Sequence, residues 1–260
     1  MSCWHDCCIN QLETEDINLD MNNWNYDNGY QTAVQAENEW ALQRYVTGVM
    51  RRVYGKMTSG LLLTALTSFL MLLSPTLMGL LFSSNATIFI LFAVEIGLVI
   101  YLSARIDKMS NSMANAMFFL YSALNGVALT PIFLAYTGTS IALTFAITAG
   151  TFGAMTVAGY VTKKDLSKFG AFLFMALIGL IICSLVNLFM HNSMMDWCIS
   201  IAGVVIFVGL TAWDTQHIKR MCAEADPSMV GKVATMGALR LYLDFINLFL
   251  HLLRILGNRN

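Results

Sequence analysis

From Met57 onward this sequence is a succession of apolar runs, each about long enough to cross a bilayer and each parted from the next by a short joint. A helix needs roughly 20 residues to span a hydrocarbon core about 30 Å thick. Runs at 57–73, 87–105, 113–136, 139–161, 169–190 and 196–216 fit that requirement, and a last one covers 240–256. Ser74-Pro75 stops the first, before a short apolar turn at 76–82, and Thr137-Gly138-Thr139 parts the third from the fourth. Joints this short force antiparallel neighbours. The pattern predicts an all-α membrane protein with a single helical bundle over residues 45–260. Composition agrees: apolar residues make up 57% of the chain and charged residues 12%, about half the ~25% of a soluble domain. With 15 basic and 16 acidic residues the net charge is −1, which excludes a nucleic-acid binder relying on a basic surplus.

Residues 1–44 are polar and acidic and are expected to form a disordered tail, with an amphipathic stretch at Glu37–Arg52 suited to a short surface helix. Met21-Asn22-Asn23 resembles a second start. The first forty residues lack the apolar core of a secretory signal, so membrane entry is expected through an internal helix. Cys3, His5, Cys7 and Cys8 cluster in the tail, but no CxxC pair occurs. Reduced thiols are the expected reading there, over a metal site or palmitate. No cofactor is expected.

Basic residues orient the bundle. With the N-terminus in the cytoplasm, 13 of the 15 basic residues fall on that side, and the opposite joints at 74–86, 137–139 and 191–195 carry none. Arg254 and Arg259 are the remaining two. They obey the rule if the last segment re-enters the membrane and break it if that segment spans.

Three carboxylates interrupt the apolar runs: Glu95, Asp214 and Asp244. An Asp near mid-helix costs about 2.5–3.5 kcal/mol on insertion scales, so each needs a partner, a cavity or a proton. All three are therefore expected to point into the bundle. Around Asp244, the residues Arg240, Asp244, Asn247, His251 and Arg254 recur at spacings of four, three, four and three, which puts five polar groups on one helical face. A narrow polar stripe on an apolar helix suits either an interfacial helix or a central one lining a polar path; the short run of 240–256 favours the central position. Asp214 lies toward the cytoplasmic end of the sixth run, and Arg105 ends the second run ten residues after Glu95, about 15 Å along the axis. Two acids brought close in low dielectric do not both ionise comfortably and tend to share a proton. Such a pair is either a pH-sensitive site or a hydrogen-bonded tie between helices. Asn125 and Asn187 are expected to be interhelical hydrogen-bonding groups, and the 17 methionines to be core filler.

Several segments resemble one family. Phe152-Gly-Ala-Met-Thr-Val-Ala-Gly-Tyr160 with Thr162-Lys-Lys-Asp-Leu166, and Tyr121-Ser-Ala-Leu-Asn-Gly-Val-Ala-Leu-Thr130, are similar to the fourth- and third-helix signatures of the Bax-inhibitor family, in particular its bacterial members. Ala212-Trp-Asp-Thr-Gln-His217 and Leu241-Tyr-Leu-Asp-Phe-Ile-Asn-Leu-Phe249 resemble its sixth and seventh helices. The resemblance implies a seven-helix bundle with the last helix central. It also implies a pH-regulated calcium leak, in which Ca²⁺ is the transported ion. By position, Asp214 and Asp244 would be the pH-sensing pair, Arg105 the latch, and Glu95 and Asn247 part of the ion pathway, with Glu95 and Asp244 as Ca²⁺ ligands. The interval from Glu95 to Arg105 is one residue shorter than in a bacterial member of the family. A bacterial plasma membrane with the N-terminus inside is the expected location, with an internal eukaryotic membrane as the alternative.

Other functional classes start from the same residues. A proton-coupled cation exchanger would use the same acid pair, and a membrane-embedded regulator would bind other membrane proteins. An enzyme is not expected: an intramembrane aspartyl protease would need Gly-x-Gly-Asp, and a zinc protease His-Glu-x-x-His, and neither occurs.

Overall fold

The computed structural model describes the backbone of residues 5–82 and 84–259, and side chains from Gln35 onward except at positions 83, 85, 107, 227 and 260. Cys3, His5, Cys7 and Cys8 therefore lie outside the described side chains. The chain forms two units, Met1–Thr47 and Gly48–Asn260. Helix α1, His5–Leu72, takes in most of the polar segment expected as a tail, and continues through the first apolar run. There follow α2 (Pro75–Phe82), α3 (Asn85–Arg105), α4 (Asn111–Ala135), α5 (Gly138–Val161), α6 (Ser167–Met190), α7 (Ser193–Glu224) and α8 (Val230–Leu256). Seven of these, all but α2, are long and apolar enough to cross a membrane.

The predicted spans are present, with two shifts at their ends. The sixth was expected to stop at 216, but α7 continues two further turns to Glu224. The last was expected to begin at 240, but α8 begins at Val230 and has 27 residues, about 40 Å of helix. Both extensions are rich in polar residues, which a search for apolar runs passes over. The added length removes the need for a re-entrant loop. The C-terminus settles the matter: Thr137 N–H donates to Asn258 O at 3.1 Å, and Asn258 N–H donates to Ser140 Oγ at 3.0 Å. The chain therefore ends against the α4–α5 turn, on the side opposite the basic loops, and α8 spans. Arg254 and Arg259 break the positive-inside count, and Arg259 lies 6.0 Å from the Tyr136 ring centroid.

Helix α8 is the centre of the bundle. In its most apolar window 67% of residues are buried, against 39% or less in every other span. It packs chiefly on α7, then on α5 and α4, while α3 rests mainly on α4 and α6 on α7. Leu239, Leu241, Tyr242, Leu248 and Leu253 are sealed in the core. The broad lipid-facing surface of α3 and α6 carries Phe89, Ile96, Ile100, Phe172, Met175 and Phe189 instead.

Polar ties fix the helices where hydrophobicity cannot, because lipid tails compete equally for apolar side chains. Thr64 Oγ1 donates to Ser122 O at 2.8 Å and lies 2.6 Å from Tyr242 Oη, joining α1, α4 and α8. Lys56 Nζ donates to Asn115 Oδ1, Gly231 O and Thr235 Oγ1 at 2.7–3.2 Å and clamps the cytoplasmic ends of the same helices. The fourth-helix signature has a packing reason: a Cβ on Gly159 would collide with the backbone of Ala212, so α5 and α7 touch there through bare backbone. We expect Gly159→Ala to force the two helices apart and cost about 1–3 kcal/mol as an overpacked contact, read as a lower unfolding temperature in detergent. An unchanged unfolding temperature would contradict that close approach.

Candidate functional site

The polar stripe of α8 faces inward along a cavity. Arg240, Asp244, Asn247, His251 and Arg254 all line a space of about 850 Å³, walled by Leu177, Leu180 and Leu188 of α6, Phe207, Leu210, Trp213 and Asp214 of α7, and Phe92 of α3. The interfacial alternative for this helix is thereby excluded. From Arg240 to Arg254 the stripe runs fourteen residues, about 21 Å, so the cavity follows α8 from the cytoplasmic end toward the other face.

Asp214 and Asp244 meet at its cytoplasmic end. Their carboxyl groups interact directly with each other, and both residues are buried, at 6% and 5% exposure. Among the described residues, no side-chain or backbone donor reaches Asp244 Oδ2. The helical register explains the encounter: Asp214 comes from the last membrane-embedded turn of α7, and α8 returns antiparallel against it.

The cation on this pair is Arg240. Its Nη1 donates to Asp214 Oδ1 at 3.1 Å. Arg240 stands one turn before Asp244 on the same face of α8, so the helix that brings in the second acid also brings in its counter-ion. Arg105, expected as the latch, is exposed at the end of α3 and is not within ion-pair distance of Asp214. Immediately beyond it the chain tightens into a 3₁₀ turn at Ile106–Lys108, and buried Ile106 and Leu102 take the inward-facing positions instead. The sequence contained the signal for Arg240, since it belongs to the polar stripe, but nothing in spacing alone said that it would cross to α7.

Glu95 is also buried, at 7% exposure, but on another wall. It lines a second cavity of about 510 Å³ between α3, α4 and α8, with Tyr121, Asn125, Ile132, Asn247 and Arg254 among its neighbours. Glu95 and Asp244 therefore do not share one coordination sphere, and among the described residues no three His, Cys, Asp or Glu side chains group as a metal site. Phe92, Leu243, Asn247, Leu250 and Arg254 line both cavities. Asn247 lines both, and its Nδ2 donates to Leu243 O at 2.8 Å.

The signatures also meet each other at the cytoplasmic face. Gln216 Oε1 accepts from Leu166 N–H at 2.9 Å, and its Nε2 donates to Lys164 O at 2.8 Å. Arg220 pairs with Asp165 at 2.7 Å. Asp165 lies outside the spans, and its carboxyl is held well below the usual carboxylate range by hydrogen bonds from Ser167 and then by Arg220. Its stabilising contribution is present above the ordinary Asp range near 4 and fades only as pH falls further below it, so Asp165 is not a switch at neutral pH. Trp213 stacks on His217 with centroids 5.3 Å apart, and packs where a side chain on Gly170 would collide with its indole.

A family described as "Inhibitor of apoptosis-promoting Bax1" matches residues 46–260. The chain belongs to the Bax-inhibitor family. It is 51% identical over 213 residues to the "Inner membrane protein YbhL" of Escherichia coli (strain K12), covering 81% of this chain and 91% of that protein. It is 46% identical over 212 residues to an uncharacterized protein of Borreliella burgdorferi, with 81% and 91% coverage. A protein of Caulobacter vibrioides is 34% identical over 243 residues, 89% of this chain and 97% of its own length. As a bacterial-type family member with seven spans, the chain is a multi-pass membrane protein.

Proposed function

We propose that this protein is a pH-regulated calcium leak channel of the bacterial inner membrane, gated by Asp214 and Asp244 with Arg240 as the counter-ion. The observation that carries the reading is a buried acid pair with one bound arginine, set in the wall of a cavity that runs along the central helix. A structural tie between two helices would not need the cavity. Oxygen donors suit hard Ca²⁺, and Glu95, Asn247 and Asp244 offer them in series along two cavities that share Asn247.

At higher pH, ionised Asp214 holds Arg240 and accepts a hydrogen bond from Asp244, which carries the shared proton. This ties α7 to α8 at the cytoplasmic end. Acidification protonates Asp214, weakens its attraction to Arg240 and releases that tie. The α3 wall, which enters both cavities through Phe92 and rests mainly on α4, is then free to shift. In this reading Arg240 takes the role expected of Arg105.

The test is Ca²⁺ flux into liposomes carrying the purified protein, recorded between pH 6 and 8. A several-fold larger flux at pH 6, without stoichiometric proton movement, supports a leak. Proton movement in fixed ratio to Ca²⁺ would make the protein an exchanger. Flux independent of pH would contradict gating by the acid pair.

A further inference from the structure

The larger cavity is open at its side. Ile181, Leu185 and Leu188 of α6 line it, yet each is more than half exposed. Phe92 of α3 lines it as well, while α3 rests mainly on α4 and α6 on α7. The space is therefore a crevice between α3 and α6 at membrane depth, and what it opens onto is hydrocarbon. Its α6 wall is apolar, which does not hold water and suits an acyl chain. Toward the outer face the crevice meets a smaller space of about 210 Å³, lined by Asn187, His191 and Asp196. Ser184, Leu188 and Arg254 line both spaces, so they form a throat between an apolar slot and a polar vestibule.

The vestibule carries one charge of each sign. Arg254 is exposed, one turn before Asn258, which is bonded to the α4–α5 turn on the outer face. Among the described residues it has no ion-pair partner. It also breaks the positive-inside pattern, so a guanidinium stands at the depth of the outer headgroups without an anion. Asp196, in the first turn of α7, is held from α6: Asn187 Nδ2 donates to Asp196 Oδ1 at 2.6 Å, and Asn187 Oδ1 accepts from Asn192 N–H at 3.1 Å. Asp196 and Arg254 line one vestibule and do not pair with each other. We propose that this vestibule and crevice bind one phosphoethanolamine lipid of the outer leaflet, with its phosphate on Arg254, its ammonium on Asp196 and one acyl chain passing the throat into the crevice. A guanidinium matches phosphate with two parallel hydrogen bonds. The ammonium donates hydrogen bonds to the carboxylate, which a choline headgroup cannot do, and a glycerol headgroup brings no cation. Basic pockets between membrane helices bind lipid headgroups on the same principle; the added acid selects a zwitterion.

The site goes beyond the leak reading and is tested without transport. Dioleoyl phosphatidylethanolamine, phosphatidylglycerol and phosphatidylcholine are each titrated into the delipidated full-length protein in detergent, and bound lipid is counted by native mass spectrometry. Phosphatidylethanolamine should saturate a site of one lipid per chain, about tenfold tighter than the other two, as one added charge-assisted contact gives. Asp196→Asn should remove that preference and leave phosphatidylglycerol binding as it was. Arg254→Gln should weaken all three lipids about tenfold, and Ser184→Phe, which fills the throat, should do the same. Arg259→Gln and Asp214→Asn should change nothing, whether or not Ca²⁺ crosses the bundle. Each variant's unfolding temperature identifies a misfolded protein, and Asp196→Asn carries the test if Arg254→Gln fails to fold. Equal binding of the three lipids, a preference for phosphatidylglycerol, or a preference that survives Asp196→Asn would overturn the assignment. Displacement of the lipid by free phosphoethanolamine at matching concentration would also overturn it, because the crevice would then contribute nothing.

Discussion

Arg240→Gln is expected to raise Ca²⁺ flux at pH 8 severalfold, to about the level of the wild-type protein at pH 6. Among the described residues, Arg240 supplies the one ion pair that joins α7 to α8 at the acid pair. Removing it leaves Asp214, at 6% exposure, without a counter-ion. Stranding a fully buried charge costs about 3–5 kcal/mol; the Arg240 side chain is 31% exposed, so about 1–3 kcal/mol is the appropriate expectation here. Asp214 responds by taking up a proton, which is the released state. The variant should therefore be less stable to heat, more conductive at pH 8, and nearly flat in its pH response. Arg105→Gln provides the comparison. Its guanidinium is exposed and away from Asp214, so the variant should keep the wild-type pH profile. If Arg105→Gln abolishes the pH response and Arg240→Gln does not, the latch is on α3 after all.

Much of this architecture was legible in the sequence because membrane insertion is a harsh filter. Apolar runs of the right length announce their helices, and charges inside them announce a site. The stripe at Arg240, Asp244, Asn247, His251 and Arg254 put five polar groups on one side of the last span, because a 3.6-residue period fixes which side chains share a side, and it suited an interfacial helix as well as the central one that the structure has. What the sequence could not show was how one helix meets another. The reach of Arg240 across to Asp214 and the seating of Glu95 in a cavity separate from Asp244 both depend on rotation and contact between spans. Helix ends were also hidden where polar residues continue a helix beyond the hydrocarbon, as at 217–224 and 230–239. The family signatures are explained by contacts between them: Gly159 lies on Ala212, and Gln216 holds the Lys164–Leu166 turn.

The second large effect concerns the acids themselves. Asp214→Asn removes the charge that binds Arg240 and should leave flux high at every pH from 6 to 8. Asp244→Asn keeps a hydrogen-bond donor beside Asp214 but removes the group that competes for the shared proton. Asp214 then stays ionised and paired to lower pH, so the rise in flux should move to more acid conditions. The two substitutions are nearly isosteric, which keeps packing out of the comparison, and Asp165→Asn serves as the control for an acid on the same side of the membrane that is ionised throughout this range. The decisive measurement is Ca²⁺ flux against pH in liposomes for the wild-type, Asp214→Asn and Asp244→Asn proteins. A flat, high profile for Asp214→Asn and an acid-shifted one for Asp244→Asn are the predicted results; profiles matching the wild type in both variants would show that these two carboxyl groups do not sense pH.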